Sequence, residues 1–411
     1  MSFTAFIKAA GTTARILKEN EPFQVITHGD VDGVASGALA YRAFDCDIII
    51  QKRLQLDQVD HSKFTLFLDL GSSQLLDIKK GFENAFVVDH HPANEYTGNV
   101  LNPWMFGIDG TRFLCTAATL YMVVKQLGPA YEKLSYLGVV GALGDRQKLE
   151  KENNTVLQDA ISRGILKNGI LFGKYDLTEF VQVVNACCRN TKKELAMKVC
   201  LLNHYEQGKK ELEKYNNAFN NDLKYLEGVW DIIQEKNKNR QALYIYDTNI
   251  TKKYAGELAT WLARKYNQAV IIMVKDAEGI KISGRGTPDL VNQGLHLGKA
   301  FEGFGGGHNI AAGAFLKDES VIETFIQTTN KRLLTMVAPV TVRINIPVPD
   351  ADTVMKALSV DDQEYNTVHI GTHNGYITGE ITGQPGTVKN VTDDIIACII
   401  SAIQMMEGES C

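Results

Sequence analysis

Histidine and aspartate recur in four short segments near the start of the chain, THGDVDG, FLDLG, VVDHHP and ALGD, each at the end of an apolar run. Two carboxylates that follow a buried strand need neutralising cations, because desolvating an isolated carboxylate costs many kcal/mol. Carboxylates mixed with imidazoles and without thiolates suit manganese or magnesium better than structural zinc or copper. The candidate residues are His28, Asp30, Asp32, Asp69, Asp89, His90, His91 and Asp145.

Such a ligand set predicts a particular reaction. Two divalent ions about 3.5–4 Å apart, bridged by one carboxylate, activate water and stabilise the leaving oxygen in phosphoryl displacement. We therefore predict phosphoester hydrolysis with two Mn²⁺ (or Mg²⁺) ions per site. Ordinary surface acids and a chance His-His pair would explain any one segment alone, but not all four in this order.

The elements around these segments position them. From Phe23 to Asp145, short apolar runs such as FQVITH alternate with helical stretches such as VASGALAYRAF. This alternation predicts a parallel sheet covered by helices. Ligands of open α/β sheets bind beyond the carboxyl ends of the strands, where most of the candidate residues would lie.

Changes in the pattern of apolar and polar residues along the chain indicate four parts. We predict an α/β protein with a catalytic domain at 1–150, a helical connector at 151–238, a second α/β domain at 239–336 and a small α+β domain at 340–411. The last segment has the order strand, helix, strand, strand, helix.

Composition limits the functional class. Among 411 residues, 43 lysines and arginines against 48 aspartates and glutamates give a net charge of −5, which excludes a basic coat for duplex DNA. The 7 cysteines form no C-x-x-C pair, which favours a reducing, cytoplasmic location. No apolar run approaches the roughly 20 residues of a membrane span, so we expect no membrane contact.

The four segments, in this order and spacing, resemble the motifs of the DHH phosphoesterase superfamily. The later segments SGR and GFGGGHNIAAGA resemble its DHH-associated domain. In length and helical insertion the chain is most similar to archaeal RecJ-like exonucleases, including the nuclease that associates with the GINS replication complex.

The resemblance implies roles for the candidate residues. Asp69 would bridge two metals, Asp89 would orient an imidazole, and His91 would face the scissile phosphate. The remaining ligands would be His28 and Asp30 for one metal, and Asp32, His90 and Asp145 for the other.

The second α/β domain carries candidate substrate-binding residues. Arg285 can bind a phosphate bidentately, and glycines let backbone N–H groups approach an anion. His308 adds a donor, and Ser283 is a weaker candidate. Glycines Gly305, Gly306 and Gly307 complete this set, although a simple turn would also explain them. We expect substrate in a cleft between the two domains.

Three functions compete at this point. The first is a single-strand exonuclease acting on DNA or RNA. The second is an oligoribonuclease, phosphoadenosine phosphatase or cyclic-dinucleotide phosphodiesterase. The third is a non-catalytic replication scaffold, which the intact acids argue against.

The sequence also suggests binding partners. Residues 340–411 are similar to the small dimer-forming subunit of the KEOPS complex, which implies dimerisation, with a simple capping domain as the alternative. Lys192 and Lys193 could track a single strand, but a solvated helix face is the simpler interpretation. Replication proteins of the GINS type are further expected partners.

Overall fold

The computed structural model describes residues 2–276, 279–337, 340–358, 368–383, 392 and 395–404. The chain divides into two compact units, Met1–Asn217 and Ala218–Cys411. This division falls inside one long helix, and the four domain boundaries predicted above stay predictions. Within the described ranges, every helix is too short or too polar to cross a membrane.

The first unit begins with alternating strands and helices and continues with helices. Its elements are α1 (Phe3–Glu19), β1 (Phe23–His28), α2 (Val31–Ala43), β2 (Cys46–Gln51), β3 (Thr65–Leu68), α3 (Leu75–Gly81), β4 (Ala85–Val88), β5 (Val100–Leu101), α4 (Thr116–Lys125), α5 (Ser135–Gly144), α6 (Lys151–Ser162), β6 (Leu166–Lys167), β7 (Ile170–Leu171), β8 (Tyr175–Asp176), α7 (Leu177–Arg189), α8 (Lys193–Cys200) and α9 (Tyr205–Gly228), the last of which continues into the second unit.

Five strands form the predicted parallel sheet, in the order β2-β1-β3-β4-β5. Successive side chains of a strand point to opposite faces, so a strand buried on both faces supplies two cores. Val25 packs with helices α2, α4 and α5, whereas its neighbour Ile26 packs on the other face with Ile78 of α3. The sheet is therefore covered on both sides, which confirms the predicted α/β class.

The stretch from 151 to 238 is mostly helical, as predicted, but it also contains a small sheet. Strands β6, β7 and β8 pair antiparallel and have two residues each. Their turns contain Gly169 and Gly173, both with positive φ angles of 78° and 64°. Strands this short show no alternating pattern in a sequence, which explains why the sequence analysis missed them.

The second unit contains the other α/β domain and a smaller sheet. Its elements after α9 are α10 (Trp230–Lys236), β9 (Ala242–Tyr246), α11 (Ala255–Tyr266), β10 (Ala269–Asp276), β11 (Gly279–Arg285), α12 (Pro288–Asn292), α13 (Leu297–Ala300), β12 (Gly305–Gly307), β13 (Ala311–Leu316), α14 (Ile322–Val337), β14 (Val340–Pro347), α15 (Ala351–Leu358), β15 (Val368–His373) and β16 (Tyr376–Gly383).

The larger sheet of this unit has the order β12-β13-β11-β10-β9, and the smaller has the order β14-β16-β15. Residues 395–404 are helical, so the described part of the segment 340–411 follows the predicted order. The predictions for 359–367, 384–391, 393–394 and 405–411 lie outside the described residues.

Candidate functional site

The predicted acids and histidines gather at the carboxyl edge of the parallel sheet. His28 is the last residue of β1, Asp69 directly follows β3 and Asp89 directly follows β4. These three strands are neighbours in the sheet, so their ends lie side by side. Asp30 begins α2, where its side chain accepts the N–H of Gly33 at 3.1 Å.

His28, Asp30 and Asp69 form the first cluster of metal-ligating atoms. The Nδ1 atom of His28 lies 2.9 Å from Oδ2 of Asp30 and 3.3 Å from Oδ2 of Asp69. Their potential ligand atoms all lie within 4.8 Å of one another, close enough to share one ion.

Asp32, His90 and Asp145 form the second cluster, and Asp69 adjoins it. The Nε2 atom of His90 lies 3.1 Å from Oδ2 of Asp145, 3.9 Å from Oδ2 of Asp32 and 3.4 Å from Oδ1 of Asp69. Asp69 thus presents Oδ2 to the first cluster and Oδ1 to the second. Its carboxylate occupies the position that a bridging ligand requires.

The ring of His90 is held by groups that the sequence analysis did not identify. Its Nδ1 atom lies 2.8 Å from the carbonyl of Gly110, which also accepts Nε2 of Gln147 at 2.7 Å. Asn153 in turn donates to Oε1 of Gln147 at 3.0 Å. A hydrogen bond from Nδ1 leaves Nε2 to face the carboxylates, as in metal sites whose histidines are oriented by a second hydrogen bond.

Asp32 is completely buried and is held by the start of α4. Its two carboxylate oxygens accept the backbone N–H groups of Thr116 and Ala117, each at 2.8 Å. The Thr116 hydroxyl donates to Asp69 Oδ1 at 3.2 Å. The positive end of the α4 dipole therefore stabilises Asp32 and the neighbouring Asp69.

Asp89 is occupied by protein donors. It accepts the N–H of Ser72 at 2.9 Å, that of His90 at 2.8 Å, and Nδ1 of His91 at 2.8 Å. Asp89 also shares a group of closely spaced ligand atoms with Asp69, His90 and His91. Because its oxygens already accept these donors, we interpret Asp89 as the residue that orients His91, whose side chain is 54% exposed.

The charges of the centre depend on one another. Burial lowers the pKa of His28, but the neighbouring Asp30 and Asp69 raise it more strongly, to about 10. Burial likewise lowers the pKa of His90, and Asp69, Asp145 and Asp32 raise it well above its usual value. Burial and the nearby carboxylates raise the pKa of Asp32 and of Asp145. Protons therefore balance the negative charge when metal is absent.

This donor set fits divalent cations. Among the ion pairs of the described residues, the acids of the centre pair with histidines and with no lysine or arginine. Burying a carboxylate without a positively charged neighbour carries a large desolvation penalty, so a bound cation would stabilise these acids. Oxygen and imidazole ligands without thiolate favour Mn²⁺ or Mg²⁺.

We expect Mn²⁺ binding to release protons. Because the neighbouring carboxylates raise the pKa of His28 to about 10 and that of His90 well above its usual value, we expect both rings to carry protons in the metal-free protein near neutral pH, and an imidazole must be neutral to ligate a metal. Because raising the pH removes these protons, metal affinity should increase from neutral pH towards pH 10. Calorimetric titration in buffers of different ionisation enthalpies would measure the release, and a binding enthalpy independent of buffer would contradict it.

A glycine of α5 leaves room for Asp32. A Cβ at Gly141 would lie 2.4 Å from Oδ1 of Asp32 and 2.5 Å from Cβ of Ala117. We expect Gly141→Ala to destabilise the fold by about 1–3 kcal/mol, the usual cost of overpacking, and to weaken Mn²⁺ binding. Thermal unfolding and metal titration would measure both effects. Gly228→Ala is the control, because a Cβ there meets nothing within 4 Å.

The predicted substrate-binding residues of the second unit fall into two groups. Ser283 and Arg285 lie on β11, on the same side of the strand, and face Gly256 of α11. A Cβ at Gly256 would lie 3.0 Å from Nη2 of Arg285 and 4.0 Å from Oγ of Ser283. Gly256 therefore makes room for the guanidinium group, a role that the sequence analysis missed.

The glycine-rich segment is two strands away from Arg285. Strand β12 lies at the edge of the sheet, with β13 between it and β11. A Cβ at Gly305 would collide with the Gly313 carbonyl at 2.1 Å, and one at Gly307 with the Ala311 carbonyl at 2.3 Å. Packing against β13 thus accounts for both glycines, whereas Gly306 faces open space and His308 is exposed.

Comparisons with known proteins agree with this architecture. The family model of the DHHA1 domain matches residues 239–335. A protein of Methanocaldococcus jannaschii is 26% identical over 404 residues, covering 75% of this chain and 93% of the relative.

Solved structures share the fold at low sequence identity. A structure of exonuclease RecJ bound to manganese has a TM-score of 0.60 and 16% identity, over 80% of this chain and 94% of that one. RecJ from Thermus thermophilus in complex with Mn²⁺ has a TM-score of 0.62 and 18% identity, over 88% of this chain and 60% of the other. Residues 239–335 therefore match the DHHA1 domain family, and the chain shares the fold of RecJ, which agrees with its resemblance to the DHH phosphoesterase superfamily.

Proposed function

We propose that the chain is a divalent-metal-dependent phosphodiesterase that removes nucleotides from an end of single-stranded DNA or RNA. The observation that carries this proposal is the position of Asp69 between two clusters of ligand atoms. Structural relatives described as an exonuclease and as bound to manganese support the same chemistry.

We assign the metal ligands and the residues that support them as follows. His28, Asp30 and Asp69 would hold one Mn²⁺ (or Mg²⁺) ion, and Asp32, Asp69, His90 and Asp145 a second. When bound, the ions would supply an activated water and charge stabilisation at the phosphorus. Gly110 would keep the tautomer of His90 that presents Nε2, and Thr116 would hold Asp69 by its hydroxyl group.

His91 is placed to contact the substrate. Its Nδ1 atom donates to Asp89, and although desolvation lowers the pKa of His91, Asp89 raises it more strongly, so that a protonated ring can donate its Nε2–H to a phosphate oxygen. Arg285 of the second unit would bind another phosphate of the strand. Gly306, Gly307 and His308 would add backbone and imidazole donors, whereas the N–H of Gly305 already donates to the Phe301 carbonyl at 3.0 Å.

A small-nucleotide phosphatase or phosphodiesterase is the second candidate. The net charge of −5 favours it, because a long strand needs many cationic contacts. Both candidates use the same metal centre, and they differ in the number of nucleotides that contribute to binding.

Oligonucleotide length distinguishes the two. With an Asp145→Asn variant in Mn²⁺, an exonuclease should bind more tightly as the strand grows from about two to about ten nucleotides, since each stacked base and phosphate contributes. Digestion of end-labelled DNA and RNA oligonucleotides by the wild-type protein would show which nucleic acid is preferred, from which end it is degraded and what size the products have. Affinity that is flat beyond two nucleotides would favour the small-nucleotide function, and absence of metal-dependent hydrolysis would favour the replication scaffold.

The proposal also includes protein partners. We infer contact with GINS-like replication proteins and dimerisation through residues 340–411, on the strength of the sequence resemblances. The strand order β14-β16-β15 gives this part of the chain two edge strands, which are the positions where a second chain can pair. Light scattering of the whole chain and of a chain ending at 337 would test the dimer.

A further inference from the structure

Lys193 lies against the first metal-binding motif. It is the first residue of α8, and its side chain crosses Gly29, the residue between His28 and Asp30. A Cβ at Gly29 would lie 2.7 Å from Cε of Lys193 and 2.9 Å from its Nζ atom. Glycine at this position therefore leaves space for the lysine, and the lysine brings an ammonium group to the edge of the metal centre.

The ammonium group has no protein partner among the residues that the structure describes. Among the described residues, no hydrogen bond or ion pair joins Lys193 to another side chain or carbonyl, although its side chain is half-buried. Other lysines of the same unit do form such pairs, for example Lys125 with Asp159 at 2.6 Å and Lys209 with Glu179 at 3.0 Å. Asp30, the acid that follows Gly29, pairs instead with His28, whose Nδ1 atom lies 2.9 Å from Oδ2 of Asp30.

An anion is the natural partner for this group. An ammonium group gains most from a charged acceptor, and Lys193 is only partly exposed. The carboxylates of the centre face the metal positions, so the acceptor that reaches both the metals and Lys193 would be a phosphate group of the substrate.

We propose that Lys193 is a substrate-contact residue whose ammonium group binds a phosphate oxygen of the phosphodiester at the metal centre. This inference rests on the proposed function and deepens it. It also replaces, for Lys193 alone, the interpretation of the Lys192-Lys193 pair as a solvated helix face.

Lys192 provides a matched control. It is exposed and lines a different hollow of the same unit, together with Lys198, His204 and Glu211. The two lysines are adjacent in sequence and equal in charge, but only one of them lies over Gly29. If only the overall surface charge mattered, replacing Lys192 and replacing Lys193 should therefore change activity equally.

The experiment compares Lys193→Met, Lys193→Arg and Lys192→Met with the wild type in Mn²⁺. Methionine keeps an unbranched side chain over Gly29 and removes the charge. We expect Lys193→Met to lower kcat/KM about 10- to 150-fold, the range for losing a charge-assisted hydrogen bond. Arginine should restore part of the loss, Lys192→Met should stay within about twofold, and Mn²⁺ affinity and Tm should not change.

A binding measurement separates this inference from the proposed function. In the Asp145→Asn background, Lys193→Met should make the log–log dependence of oligonucleotide affinity on salt shallower by about 0.7, the value for one phosphate contact on a single strand. Equal behaviour of the Lys193 and Lys192 variants in rate and in binding overturns the inference, as does a loss of Tm with Lys193→Met that arginine does not restore. A wild type without hydrolysis overturns the proposed function, and the binding comparison still decides the role of Lys193; absence of binding overturns both.

Discussion

Replacing Asp32 or His90 by alanine is expected to lower metal-dependent hydrolysis by more than about 100-fold. Loss of a group that only orients a ligand already costs about 10–100-fold, and in our proposal these side chains provide ligand atoms directly. Asp32 is buried against the start of α4, and Nε2 of His90 faces three carboxylates. Initial rates at saturating Mn²⁺ measure the effect.

Two replacements outside the centre serve as controls. Asp77 is exposed on α3, and His61 bonds the Gly81 carbonyl at the opposite side of the sheet from α2. Asp77→Ala and His61→Ala should keep near wild-type rates, and circular dichroism should show that all four variants fold. If Asp32→Ala or His90→Ala kept more than about a tenth of the wild-type rate, the assignment of these residues as ligands would be wrong.

Replacing Arg285 by alanine is expected to reduce kcat/KM by about 30- to 900-fold, which corresponds to about 2–4 kcal/mol for truncating a desolvated charged contact. The guanidinium group is half-buried beside Gly256 and is held by the Gly284 carbonyl at 2.7 Å, so its position is fixed before substrate binds. His308→Ala should act in the same direction. Metal titration should show that both variants bind Mn²⁺ as the wild type does.

Arg264→Ala is the matched control, because Arg264 is an exposed arginine of α11. Arg285→Lys keeps the charge but loses the planar fork, so an intermediate rate would indicate bidentate binding. Wild-type kinetics for both Arg285→Ala and His308→Ala would exclude this part of the second unit from substrate binding.

The clustering of the candidate residues could be predicted from the sequence because several of them lie at the ends of strands. His28, Asp69 and Asp89 follow apolar strands, and parallel neighbours bring such ends together. The α/β class followed from the same alternation. The boundary at Asn217 could not be found in this way, because it lies within a continuous helical pattern.

The groups that support the ligands could not be located from the sequence. Gly110 acts through its backbone carbonyl, and Gln147 through a side chain on a loop without a pattern. Lys193 reaches Gly29 from a helix far along the chain. Such contacts depend on how helices pack on the sheet, and neither residue type nor local periodicity encodes that packing.

The candidate metal centre draws its atoms from segments spread between His28 and Asp145, and this spacing has a kinetic consequence. No ion can find its full ligand set until strands β1, β3 and β4 have paired and α5 has docked, which are contacts between distant parts of the chain. Mn²⁺ should therefore hardly accelerate refolding of the first unit, whereas it should slow unfolding, because interactions absent from the transition state act on the unfolding rate. Metal supply would then set how long a folded molecule survives rather than how quickly it forms.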